Sequence, residues 1–181
     1  IILIHINGIG DAAGYFAVDI LSEFRKLHPN TRISTIDGNA SIAKDYLSNG
    51  MADLAVIATR EASHTMLEFM PLRDEELMLA LPASHPVFLR QLIGPVGALT
   101  TDEPFILNQQ NSYFRSLERE ILSHCSFTPD VLCEIRDLNA SSNMVANGKG
   151  IAFLPRSVYD HAEGCHLFSL PEPMIFHVVI A

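Results

Sequence analysis

The chain has 181 residues, which is enough to bury a substantial core as one domain or as two small lobes. A hydrophobic content of 48% with 18% charged residues excludes an intrinsically disordered protein. The formal net charge is −9 and the 12 Lys and Arg residues are scattered, so we expect this chain by itself to bind no nucleic acid. No apolar run reaches the roughly 20 residues that span a bilayer, so we expect no membrane association. The three cysteines, Cys125, Cys133 and Cys165, form no C-x-x-C pair, which favours reduced thiols in a cytoplasmic protein.

Strands and helices alternate in the first half of the chain. Apolar, β-branched runs predict strands, and apolar residues at three- and four-residue spacings predict helices. The predicted elements are strands over 1–7, 32–37, 53–58 and 76–81, with helices over 12–27 and 41–48. We expect Asp11 and Ser41 to cap the two helices, and His28 and Pro29 to end the first one. The β-α-β-α-β order requires a parallel sheet with right-handed crossovers.

The alternation returns beyond a proline-containing crossing at 82–86. The predicted elements are strands over 105–107, 131–135 and 151–154, with helices over 113–124 and 138–147. Two final strands, over 165–170 and 174–181, have no helix between them, so we expect them to return to the first sheet. The pattern predicts an α/β protein of two Rossmann-like lobes with a ligand crevice between them. We assign residues 1–81 plus 165–181 to lobe I and residues 82–164 to lobe II.

The loop after the first strand resembles a nucleotide-binding turn. Gly8, Gly10 and Ala13 match G-x-G-x-x-A, and Asp37 ends the second strand, near the place of a ribose-binding carboxylate. Such a loop points free backbone N–H groups and the positive end of a helix dipole at a ligand. This motif alone leaves open an NAD(P)-binding enzyme, which would bind NAD or NADP with micromolar affinity.

The segment MVANGKGIAFLPRSV, residues 144–158, identifies a family. Gly148 is predicted to end a helix in the left-handed conformation, Gly150 to allow a tight entry into a strand, and Pro155 to start a short helix. The segment resembles the run Val-Ala-x-Gly-x-Gly-Ile-Ala-x-Leu-Pro of the effector-binding domain of LysR-type transcriptional regulators. The matching residues are Val145, Ala146, Gly148, Gly150, Ile151, Ala152, Leu154 and Pro155.

The likeness continues in order across nearly the whole chain. Further matches are Phe24 with Pro29; Leu47, Gly50, Asp53, Leu54 and Ala55; and Leu72, Glu76, Leu77, Leu79, Leu81, Pro82, His85 and Pro86. The resemblance implies a fold like a type II periplasmic binding protein, with two lobes that the chain crosses twice, near 81–84 and 164–167. It also implies a homodimer formed through helix 12–27, or a tetramer of the full-length protein. Because the chain begins with Ile, we expect a fragment whose N-terminal helix-turn-helix domain, the part that binds DNA, is absent.

Polar loops at strand ends supply the candidate effector contacts. The resemblance places three such loops and the start of helix 138–147 around the effector. The candidate residues are Asn7, Gly8, Ile9, Gly10, Asn39, Ser41, Asn108, Gln109, Gln110 and Asn139. Relatives commonly have Ser or Thr where this chain has Ile9, and Asp11 follows. An effector with a neutral or amine group is therefore as compatible with this loop as an anionic one.

Neither a metal site nor a catalytic site is predicted. His161, Cys165 and His166 do not have the spacing of a common zinc site, and no G-x-S-x-G elbow is present. We therefore expect a cytoplasmic, small-molecule sensor without cofactor or enzymatic activity. The alternative is a periplasmic solute-binding protein of a transporter, which shares the fold and would carry a secretory leader.

Overall fold

The computed structural model describes residues 2–6, 12–61, 63–85, 103–125, 127–159 and 164–181. The chain forms two compact units, the first of Ile1–Asp74 with Phe176–Ala181 and the second of Glu75–Ile175. Both predicted lobe boundaries, 81/82 and 164/165, fall inside the second unit.

The first unit is a mostly parallel sheet with helices in the crossovers. Its elements are β1 (Ile2–Ile6), α1 (Ala12–Leu27), β2 (Ile33–Asp37), α2 (Ala40–Ser48), β3 (Leu54–Thr59), the first part of β4 (Met70–Pro82) and most of β9 (Met174–Ile180). β1 pairs in parallel with both β2 and β3, and β9 is antiparallel to β3, so the strand order is β2-β1-β3-β9. The predicted β-α-β-α-β order is confirmed.

The helix ends of the first unit agree with the sequence at one helix and differ at another. α1 ends at Leu27, immediately before His28, as predicted. The N-cap of α2 is Asn39 rather than Ser41, because Asn39 has extended dihedral angles and its Oδ1 accepts a hydrogen bond from Ile42 N at 2.9 Å. The predicted cap of α1, Asp11, lies outside the described residues.

The second unit is built around two parallel strand pairs. Its elements are the rest of β4, β5 (Pro104–Asn108), α3 (Tyr113–Ser123), β6 (Asp130–Ile135), α4 (Leu138–Ala146), β7 (Ile151–Pro155), α5 (Arg156–Tyr159) and β8 (Cys165–Phe168). β5 is parallel to β6 and to β7, while β4 is antiparallel to β7 and β8. All five residues of β7 are buried, as are Phe105, Ile106 and Leu107 of β5. These central strands form the core of the unit.

Strand β4 is longer than its sequence pattern predicts. The apolar run predicts 76–81, but the strand begins at Met70, and the first unit ends within it, at Asp74. β8 pairs with residues 79–82 of β4, in the second unit, whereas β9 returns to the first unit. The expectation that both final strands return to the first sheet stays a prediction, because residues 79–81 of β4, with which β8 pairs, belong to the predicted lobe I.

The ends of α4 and of β7 follow the sequence closely. Gly148 has φ +66°, the left-handed conformation predicted for it, and α5 starts directly after Pro155. None of the helices in the described part of the chain is both long and apolar enough to cross a membrane.

Candidate functional site

The predicted site residues of the second unit follow β5 at the point where the strand ends. Asn108 is the last residue of β5 and is only 3% exposed; Gln109 is half-buried and Gln110 is exposed. A main-chain hydrogen bond of 2.9 Å from Ser112 N to Gln109 O closes the turn. Ser112 then caps α3, its Oγ accepting from Phe114 N at 3.2 Å. The three predicted amide residues therefore lie at the end of β5 and in the tight turn that follows it.

A buried carboxylate lies directly against Asn108. The side chain of Glu118, on α3, has no exposed surface. Its Oε1 accepts from Asn108 N at 3.1 Å and from Asn108 Nδ2 at 2.8 Å, and its Oε2 accepts from Asn108 N at 3.0 Å. Burial raises the pKa of Glu118 from 4.5 to about 7, and the hydrogen bonds from Asn108 and the charge of Arg115 oppose the rise. Glu118 therefore fixes the position of the first predicted ligand residue of this turn.

A network of charged and amide side chains surrounds Gln110. Its Nε2 donates to Glu134 Oε1 at 2.6 Å, and Arg119 Nη2 donates to its Oε1. Arg115 links this network to the buried carboxylate, with Nη2 3.1 Å from Glu134 Oε1 and Nη1 3.5 Å from Glu118 Oε2. Both ends of the Gln110 amide are engaged within the protein, which leaves it less suited to hold a ligand than its sequence position predicts. Among the described residues, the Gln109 side chain makes no hydrogen bond.

Glu118 was not among the residues predicted from the sequence, although the helix pattern contains a signal for it. The buried residues of α3 are Phe114, Leu117, Glu118 and Ile121, at three- and four-residue spacings. A carboxylate on that stripe is forced into the core, where it needs donors. Arg115 and Glu134 have no such signal, because they lie 19 residues apart in the sequence and only folding brings them together.

Asn139 lies in the first turn of α4 and is half-buried. Its main-chain N–H donates to Asp137 Oδ1 at 2.8 Å, and Ala140 N donates to the same oxygen at 3.3 Å, so Asp137 is the N-cap. Asn139 is therefore placed at a helix start, as predicted.

In the first unit, the structure describes two of the predicted contacts. The Asn39 side-chain oxygen caps α2, as described above, and Ser41 is exposed in the first turn of that helix. The other four predicted contacts, Asn7, Gly8, Ile9 and Gly10, lie outside the described residues.

A cavity of about 270 Å³ in the second unit lies away from Asn108. It is lined by Pro82, Ser84, His85, Glu103, Pro104, Gly148 and Gly150. His85 Nε2 lies 2.8 Å from Glu103 Oε1 at its wall. Pro104 and Asn108 are the two ends of β5, so cavity and turn are separated by about 13 Å along the strand. This cavity is a feature distinct from the predicted site.

Within the described ranges, no group of three or more His, Cys, Asp and Glu residues is placed to hold a metal ion. Cys165 and His166 lie on β8, and His161 lies outside the described residues. The described groups at the end of β5 are amides, carboxylates and arginines, all of which can form hydrogen bonds or ion pairs.

Comparison with known proteins places the whole chain in one family. Residues 3–181 match the model of the LysR substrate binding domain. The chain is 29% identical over 161 residues to the HTH-type transcriptional activator IlvY of Salmonella typhimurium, covering 89% of this chain and 52% of that protein. The chain thus spans about half the length of the curated relatives it matches.

Solved structures show the same fold. The regulatory domain of CcmR from Synechocystis PCC6803, in complex with 2-PG, aligns with a TM-score of 0.83 and 21% identity, over 99% of this chain and 85% of that one. The BenM effector binding domain with its effector benzoate aligns with a TM-score of 0.75 and 23% identity, over 99% and 81%. These domains have the type II periplasmic-binding-protein-like fold that the sequence predicts. With a family match from residue 3 to residue 181, the chain belongs to the family of LysR substrate binding domains.

Proposed function

We propose that this chain is the ligand-sensing domain of a LysR-type transcriptional regulator, which binds a small-molecule effector. The family match along nearly the whole chain carries this proposal. Two related domains were solved with 2-PG and with benzoate, which supports a small organic ligand for this chain as well. A sensor has two conformations, and its effector binds one of them more tightly than the other. The resulting coupling free energy is usually about 1 to 3 kcal/mol.

The proposed effector contacts come from both lobes. From the first lobe they are Asn7, Gly8, Ile9, Gly10, Asn39 and Ser41; from the second they are Asn108, Gln109, Gln110 and Asn139. The hydrogen bonds support a ranking among the second-lobe residues, because the Gln110 amide is engaged by Glu134 and Arg119 while Gln109 has no such partner in the described part of the chain. We therefore propose Asn108 and Gln109 as the main contacts of that lobe.

DNA binding is proposed for the rest of the protein rather than for this chain. IlvY and its counterparts are HTH-type regulators by name, and the aligned part of this chain covers only about half of their length. The net charge of −9 supports a domain that senses without contacting DNA. The same relatives support a cytoplasmic regulator without enzymatic activity.

We also propose a homodimer in which α1 packs against the second lobe of a partner copy. A tetramer is the alternative for the full-length protein. Ile20 and Leu27 of α1 are 41% and 76% exposed, although both are large and apolar. Exposed apolar side chains on one helix favour an interface with another chain.

A thermal-shift screen of carboxylates, aromatic acids and amino acids tests the sensor proposal. Ligand binding stabilises the folded chain by about 2.7 kcal/mol at a hundredfold excess over Kd, which such a screen detects easily. A compound that raises the melting temperature in a saturable way supports the proposal. Micromolar binding of NAD or NADP, without stabilisation by any compound of the screen, would overturn it in favour of a nucleotide-binding protein.

A further inference from the structure

Asn108 carries a buried acceptor that no described residue satisfies. Its main-chain N–H and its Nδ2 both donate to Glu118, yet its Oδ1 accepts no hydrogen bond from the residues that the structure describes. The residue is 3% exposed, so little water reaches it. Leaving a buried acceptor unpaired is unfavourable, and a donor brought by a ligand removes that cost.

Glu118 determines which end of the Asn108 side-chain amide has no hydrogen-bond partner among the described residues. An ionised carboxylate has no proton to donate, so it can face only the N–H groups of Asn108. A half-turn of the amide would place Oδ1 against the carboxylate, where two acceptors would repel each other. Because the Glu118 side chain is fully buried on α3, it cannot turn away into solvent. The oxygen of Asn108 is therefore held on the side away from Glu118.

The charged groups around this pair keep the arrangement in place. Arg115 lies between two carboxylates, with Nη1 3.5 Å from Glu118 Oε2 and Nη2 3.1 Å from Glu134 Oε1. Its positive charge favours the ionised form of Glu118. The arginine is itself only 11% exposed, so solvent screens this interaction weakly.

We propose that Glu118 is a positioning residue for effector specificity: it orients Asn108 so that the site accepts, at this point, a ligand group that donates a hydrogen bond. This inference rests on the proposed function, since it assumes that Asn108 meets the effector. The ligand group is a hydroxyl, an ammonium or an amide N–H. A ligand that presents only an acceptor there, such as a keto oxygen or a carboxylate, leaves two acceptors face to face.

Matched pairs of small molecules test the inference. Lactate is compared with pyruvate, serine with alanine, and salicylate with benzoate, so that the first member of each pair carries a hydroxyl that the second lacks. Binding is measured by calorimetry, at about pH 8 where Glu118 is ionised, to the wild-type chain and to the Glu118→Gln and Glu120→Gln variants. Glu120 is exposed two residues further along α3, so its variant controls for the loss of one carboxylate.

In the wild-type chain we expect the hydroxyl member of a binding pair to bind roughly tenfold or more tightly than its partner. The preference should persist in Glu120→Gln and disappear in Glu118→Gln, because the amide nitrogen that this substitution introduces can donate to Asn108 Oδ1 once the Asn108 amide has turned. Equal binding within every pair overturns the inference but leaves the sensor proposal standing. An unchanged preference in Glu118→Gln also overturns the inference. If none of the six compounds binds the wild-type chain, the effector contact proposed at Asn108 fails and the inference fails with it.

Two further measurements guard against a folding defect. Asn108→Ala removes Oδ1 without changing Glu118, and it should abolish the hydroxyl preference in a chain that still melts cooperatively. In amide NMR without ligand, the Asn108 side-chain protons should exchange slowly in the wild type and in Glu120→Gln, and faster in Glu118→Gln. Equal exchange in all three chains would contradict the orienting role of Glu118.

Discussion

The main chain of Gly150 lies so close to Pro104 that a Cβ built on residue 150 would be 2.4 Å from the Pro104 carbonyl oxygen. The contact is between two backbones, since Gly150 enters β7 while Pro104 begins the neighbouring strand β5. Neither backbone can turn aside in the way a flexible side chain can. Glycine is therefore required at this position by space rather than by its dihedral angles.

Gly150→Ala is expected to destabilise the chain by about 1 to 3 kcal/mol, because β5 and β7 must separate to admit the methyl group. Urea denaturation measures the change. Gly148→Ala is the matched control: residue 148 has φ +66° and open space around it, so its cost is only the left-handed backbone, about 1 to 2 kcal/mol. Stability of Gly150→Ala equal to that of the wild type would contradict the close approach.

Glu118 is expected to make the stability of the chain depend on pH. In the unfolded chain its carboxyl loses its proton near pH 4.5, but in the folded chain it does so near pH 7. Between these values the folded state holds the extra proton, so the free energy of unfolding falls as pH rises, by about 3 kcal/mol in total from this group.

Glu118→Gln removes that dependence. The stability of the variant relative to the wild type should therefore rise by about 3 kcal/mol between about pH 4 and about pH 8. Denaturant titrations of both chains at several pH values provide the measurement. A difference between Glu118→Gln and wild type that stays constant with pH would refute the raised pKa.

Asn39 and Ser41 have different structural roles that substitution can separate. Asn39→Ala should destabilise the chain by about 1 kcal/mol, because α2 loses the side-chain oxygen that accepts from Ile42 N. Ser41→Ala should leave stability within about 0.5 kcal/mol of the wild type, since Ser41 is exposed. Equal losses in thermal denaturation of the two variants would show that Asn39 is not the cap.

Gln109→Ala is expected to weaken effector binding by about 1 to 3 kcal/mol while leaving the melting temperature nearly unchanged. The reason is that its amide has no hydrogen-bonding role within the described part of the chain. Gln110→Ala is the contrasting variant, because it breaks contacts with Glu134 and Arg119. Calorimetry with a compound from the screen decides: unchanged affinity of Gln109→Ala would remove Gln109 from the site.

Leu27→Gln is expected to weaken a dimer that uses α1. The substitution removes apolar area from a side chain that is 76% exposed, so folding of the monomer should change little. Met66→Gln is the control, because Met66 is 75% exposed in the same unit but outside α1. Sedimentation equilibrium should show a higher dissociation constant for Leu27→Gln alone; equal dissociation constants for both variants and the wild type would exclude Leu27 from the interface.

The order of strands and helices could be predicted from the sequence because each element carries its own period and its own end signals. Gly148 ends α4 in the left-handed conformation, and Ser112 caps α3, in agreement with the local pattern. The start of β4 could not be predicted in this way. Residues 70–75 are mixed in polarity and carry no apolar run, so the sequence pattern marks only the later part of the strand.

The sequence by itself determined the family, the parallel β-α-β units and the turn after β5 as a candidate site. Spacing along the chain is enough for these, since helix and strand periods and glycine positions are local properties. Only the tertiary structure decided which neighbours the candidate site residues contact. In the folded chain the Gln110 amide forms hydrogen bonds with Glu134 and Arg119, and the buried Glu118 accepts hydrogen bonds from Asn108. These partners are distant along the chain, and a side-chain amide can serve a ligand only through an atom that no neighbour brought close by folding has already engaged.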